Sequence, residues 1–84
     1  MPARLPPSGP YAALAQRLRD ARRARYLRAA DVALMIGVDA AVYSLYERGA
    51  TRPARDRTVR LAAVLGIPEH ELLVLARWEP PGRP

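Results

Sequence analysis

Apolar residues recur at helical spacing along most of this chain, and glycine or proline interrupts them at short intervals. Tyr11, Leu14, Leu18 and Ala21 lie three or four positions apart, which lines one face of a helix. Arg17, Arg19, Arg23 and Arg25 fall on the opposite face. Pro10 suits a first helical turn, with Ser8 or Gly9 before it as cap. The spacing predicts a first helix over residues 10–25. A break at Tyr26 and Leu27 precedes a second helix over 28–36, whose inner face holds Val32, Ala33 and Ile36. Gly37 follows as a stop, because glycine accepts positive φ without steric cost. Asp39 suits the cap of a third helix over 40–48, with Val42, Tyr43 and Tyr46 available to the core. Gly49 ends that helix as Gly37 ends the one before it.

Residues 50–53 read as a loop. A fourth helix is predicted over 54–65, with Val59, Leu61, Ala62 and Leu65 as its apolar set and Gly66 as its stop. Pro68 opens a fifth over 68–78, where Glu69 and Glu71 in the first turn complement the helix dipole. Leu72, Leu75 and Trp78 face its inner side. No period-two alternation bounded by hairpin turns competes with this reading. The fold class is therefore all-α, with five short helices. Residues 1–9 and 79–84 are rich in proline and read as a flexible arm and tail around one domain, residues 10–78.

Composition narrows the function. The chain has 84 residues, which suits one domain with a limited core. It has no cysteine and one histidine, His70, which points away from disulfides and from Cys/His metal sites and is compatible with a cytoplasmic setting. The opening MPARLPPSGP lacks the apolar centre of a signal peptide. The apolar stretch 29–46 is broken by Asp31, Gly37 and Asp39, whereas a membrane span needs about 20 predominantly apolar residues. No membrane partner is expected. No nucleophile–base pair, paired carboxylates or phosphate-cradling glycine loop is apparent, and Glu69-His70-Glu71 reads as dipole complementation. The sequence points to a protein that is not an enzyme and needs no cofactor.

Net charge is +6, and all 14 basic residues are arginine. That excess favours a polyanionic partner, while the choice of arginine alone also fits a compositional bias. The charge is unevenly placed. Residues 1–30 carry seven Arg against one Asp, and residues 48–60 carry five Arg against one Asp. Between them, residues 31–47 hold Asp31, Asp39 and Glu47 and no base. The basic groups flank the central pair of helices.

In order and register, Val32-Ala33, Gly37-Val38-Asp39, Ser44, Glu47-Arg48-Gly49, Pro53, Leu61-Ala62 and Leu65-Gly66-Ile67 resemble the pattern of the lambda-repressor-like, XRE-type helix-turn-helix family. The match covers residues 14–73. The resemblance implies a compact five-helix domain whose second and third helices form the helix-turn-helix, and a regulator of transcription that binds double-stranded DNA. It implies a structural ion pair between Arg22 and Glu47. It places Arg28, Arg48 and Arg52 at phosphate-contacting positions, Ala40, Ala41 and Leu45 at base-reading positions, and Ser44 on the DNA-facing side. It also places dimer contacts near the C-terminal helices, where Leu73, Val74 and Trp78 offer apolar surface for a homodimer; the alternative is a Trp78 packed back onto its own core.

The chain departs from that pattern in several places. Arg28 stands where the family has a Ser or Thr cap and offers no acceptor, so a weaker start of the second helix is expected. Ala29 replaces a phosphate-binding Gln. Tyr26 replaces a Gly, which implies either strain at positive φ or a different local turn. Leu34 and Met35 replace charged residues. Alanine at positions 40 and 41 can touch only a thymine methyl and forms no bidentate hydrogen bond to a base. Three accounts follow. DNA binding can rest on flanking arginines, methyl contacts, DNA shape and an arm carrying Arg4. Alternatively, Leu34, Met35, Ala40, Ala41 and Leu45 form an apolar patch for a protein partner. Finally, Leu34 and Leu45 can simply be buried by altered packing.

Overall fold

The computed structural model describes residues 6–82; Arg4 and Arg83 therefore lie outside the described residues. Five helices follow in order: α1 (Ala12–Ala24), α2 (Ala29–Ile36), α3 (Ala40–Arg48), α4 (Arg55–Leu65) and α5 (Glu69–Leu75). No strand occurs among the described residues. The all-α class and the order of elements are as the periodicity predicts, while several ends move.

Helix α1 starts two residues after Pro10. The segment before it is drawn onto the end of α3: the Ser8 and Tyr11 amides donate to the carbonyls of Arg48 and Gly49, both at 3.1 Å. Gly9 at φ +90° and Gly49 at φ +80° allow this approach. A domain boundary at residue 10 thus cuts through a hydrogen-bonded junction. Helix α5 stops at Leu75, three residues before the expected end, because Arg77 takes φ +62° and reverses the chain.

The core lies where α3 crosses α1 and α2, and where α4 packs on α2 and α5. Leu14, Leu18, Val32, Ile36, Tyr43, Leu61 and Leu72 are fully buried at its centre. Val42, which the spacing assigns to the core, is exposed. The turn of α3 that buries Tyr43, Tyr46 and Glu47 carries residue 42 out to the surface. Val59 is half-buried.

Arginines close three helix C-termini. Such ends leave carbonyls without an intrahelical partner, and a cation there also complements the dipole. Arg60 Nη1 donates to the Ile36 carbonyl at the end of α2, at 3.2 Å. Arg25 Nε donates to the Leu65 carbonyl at the end of α4, at 2.9 Å. Arg52 Nη1 donates to the carbonyls of Ala76 and Arg77 just beyond α5, both at 3.0 Å. Part of the basic excess therefore holds the fold together.

Candidate nucleic-acid interface

Gly37, in the left-handed region at φ +75°, ends α2 and turns the chain into α3. The two helices diverge by 113°. That angle, with a short glycine-containing turn, is the geometry of a helix-turn-helix.

One buried cluster sets the pose of α3. Arg22 on α1 donates from Nε and Nη2 to the two carboxylate oxygens of Glu47, at 2.6 and 2.9 Å. Tyr43 Oη donates to Glu47 Oε2 at 2.5 Å, and Arg22 Nη1 donates to the Leu27 carbonyl at 2.9 Å. The cluster joins α1, the α1–α2 turn and α3. Both charged side chains are buried, so the hydrogen bonds offset a large desolvation cost. Burial first, and donation to Glu47 second, push the Tyr43 phenol well above its ordinary range. The hydrogen bond to Glu47 raises Arg22 further. The Tyr43 and Tyr46 rings meet edge to face with centroids 6.1 Å apart, and Tyr46 Oη accepts from Arg57 Nη1 at 3.1 Å.

With Glu47 and both tyrosines inward, α3 presents Ala40, Ala41, Ser44 and Arg48 to solvent. Leu45 is half-buried at the edge of that face. The Arg48 side chain makes no hydrogen bond or ion pair among the described residues. Beside it, Arg19, Ala29, Ser44, Glu47 and Arg48 line a cavity of about 230 Å³. It adjoins Ala29, the short residue at the start of α2.

Several predicted site residues are placed differently from expectation. Arg28 is exposed but paired: its guanidinium donates to Asp31 at 3.0 and 3.2 Å, and its amide donates to Asp31 Oδ2 at 2.8 Å. Asp31 therefore supplies the backward half of a capping box, which strengthens a helix start expected to be weak. Arg28, lacking an acceptor, cannot supply the other half. The Arg28 hydrogen bonds, side chain first, hold the Asp31 carboxyl below its ordinary range. Arg52 is engaged within the fold. Besides bonding the end of α5, its guanidinium carbon lies 3.5 Å from the centre of the Trp78 ring. Trp78 Nε1 donates to the Pro53 carbonyl at 2.9 Å. Trp78 is thus packed on its own core, and Leu73 is buried. Only Val74 of the expected dimer trio keeps partial exposure without such a role.

Leu34 is 82% exposed and Met35 52%, so the described residues do not bury them. Leu34, Gly37, Val38, Asp39, Val42 and Arg57 line an open groove of about 450 Å³. Tyr26 adopts φ +56° and is 95% exposed, so the chain keeps the left-handed turn at a tyrosine. Asp39 has the extended backbone of a cap, but its side chain makes no capping hydrogen bond, contrary to expectation. Sequence reasoning also missed Arg19, placed on the outer face of the first helix and found buried. Its spacing from Ala15 and Arg22 was the available signal.

Helices α2 and α3, set at 113° about the Gly37 turn, define a helix-turn-helix protein. The family model of a helix-turn-helix domain matches residues 13–75, from the first helix through the fifth. The chain belongs to that family, and its type is lambda-repressor-like. No curated protein sequence matches it. Among the described residues, no helix is long and apolar enough to cross a membrane, and no three His, Asp or Glu side chains are grouped to hold a metal ion.

Proposed function

We propose that this chain is a DNA-binding regulator of transcription acting in the cytoplasm, with α3 laid in the major groove of duplex DNA. The observation that carries this reading is the exposed Ala40–Ala41–Ser44–Arg48 face on a helix locked by Arg22 and Glu47. Arg48 contacts a phosphate, and Ser44 donates its hydroxyl to a phosphate or a base edge. Ala40 and Ala41 pack against thymine methyls. Arg28 reaches a neighbouring phosphate with its charge partly offset by Asp31. Arg52 is left out of the contact set, because it is held by the end of α5 and by Trp78.

The test is a salt titration of binding to mixed-sequence duplex DNA. Each phosphate neutralised adds about 0.9 to the log–log slope. Binding at about 50 mM salt that falls steeply as salt rises supports the reading. Absence of binding there overturns it and favours a second one: a protein-interaction module that uses the exposed Leu34 and Met35 on α2.

A further inference from the structure

The carboxylate of Asp39 stands at the tip of α3 without a hydrogen-bond partner or an ion-pair partner among the described residues. Its backbone is extended, and its carbonyl accepts the Tyr43 amide at 3.1 Å, as a helix cap requires. Its side chain nonetheless makes no capping bond and no ion pair among the described residues. The other two acids of the helix-turn-helix are engaged, Asp31 by Arg28 and Glu47 by Arg22 and Tyr43. Asp39 is exposed, as are its neighbours Ala40 and Ala41.

We propose that Asp39 is a specificity-determining residue that selects cytosine, by accepting a hydrogen bond from the cytosine N4 amino group in the major groove. The inference rests on the DNA-binding reading above. In a helix-turn-helix the N-terminal residues of the second helix reach the base edges, and Asp39 is the residue at that end. An ionised carboxylate only accepts hydrogen bonds. In the major groove, guanine offers N7 and O6 and thymine offers O4, all of them acceptors that repel it. Adenine offers an N6 donor but sets the N7 acceptor beside it. Cytosine offers N4 alone. The carboxylate therefore rejects the wrong bases as well as binding the right one. Ala40 and Ala41 add only methyl contact, which suits thymine next to that cytosine. A helix short of arginine and glutamine would thus read a pyrimidine-rich strand.

The test is selection of duplexes from a randomised pool by the full chain, its Asp39→Ala variant and its Asp39→Asn variant. The wild type is expected to recover cytosine at one position of its site, with discrimination on the order of tenfold. Asp39→Ala should lose preference at that position alone. Asp39→Asn should move it toward adenine, whose N6 and N7 an amide can contact together. Because the side chain makes no capping hydrogen bond, each variant loses only a charge at the helix N-terminus, and its melting temperature should fall by no more than about 5 °C. The same base preference in all three proteins, or no cytosine in the wild-type site, overturns the proposal. Mixed-duplex binding with its salt dependence, measured in parallel, separates the two levels. If that binding persists while the preference ignores Asp39, this inference alone fails. If the wild type binds no duplex, the DNA-binding reading fails with it.

Discussion

The Arg22 guanidinium grips both carboxylate oxygens of Glu47, at 2.6 and 2.9 Å, across the interface between α1 and α3. Residues 25 positions apart thereby set the angle at which the exposed face of α3 is offered. Removing one partner of such a pair leaves a buried charge uncompensated. Glu47→Ala should destabilise the domain by about 3–5 kcal/mol. In a domain of this size that lowers the melting temperature by more than about 10 °C. Thermal unfolding followed by Trp78 fluorescence measures it, and an unchanged midpoint would show that the pair does not hold α3.

Gly49 makes a second point of rigidity. It sits at φ +80°, and a Cβ there would collide with the Ser8 carbonyl oxygen. A left-handed residue with a side chain costs roughly 1–2 kcal/mol before any collision. Gly49→Ala should therefore cost more than about 2 kcal/mol. Gly37 has the same sign of φ but open space around its Cβ position, so Gly37→Ala should cost only the backbone part. Equal losses in denaturant unfolding of the two variants would show that the contact with Ser8 carries no weight.

These features were unequally legible in the sequence. The five helices were readable because apolar spacing and the stops at Gly37, Gly49 and Gly66 agree with one another. Arg22 and Glu47 were named from the family resemblance, since nothing in the local pattern joins two charges so far apart. The work of the other arginines was hidden. Arg25, Arg52 and Arg60 look alike in sequence whether they face solvent or close a distant helix end, and their carbonyl partners carry no sequence signature. The free carboxylate of Asp39 was hidden for a related reason: the residue type suits a cap, and only the side-chain conformation shows that the bond is not made.

Acid should loosen the fold through two surface pairs. Hydrogen bonds from the Arg28 side chain and amide hold the Asp31 carboxyl low, and a hydrogen bond from Arg17 does the same for Glu71. A carboxyl depressed in the folded state adds stability that is fully present above its unfolded pKa and is lost as pH falls through the folded one. The melting temperature should therefore hold from neutrality down to about pH 5 and decline below about pH 4. In the double variant Asp31→Asn, Glu71→Gln the decline should be shallower. An identical acid limb in both proteins would place the acid sensitivity elsewhere.

Arg48 and Arg52 should part company when each is replaced by alanine. Arg48 is exposed at the end of α3, and its side chain makes no hydrogen bond or ion pair among the described residues. Its loss should leave stability nearly unchanged and reduce the salt slope of DNA binding by about 0.9, the contribution of one phosphate. Arg52 bonds two carbonyls beyond α5 and lies over the Trp78 ring. Its loss should cost about 1–3 kcal/mol, from charged hydrogen bonds and a cation–π contact. It should also alter Trp78 fluorescence in the native state and leave the salt slope as it was. The two measurements therefore move in opposite variants. If Arg52→Ala instead lowers the slope and spares the melting temperature, Arg52 leaves Trp78 to meet DNA, and the contact surface extends past α3 to the loop that follows it.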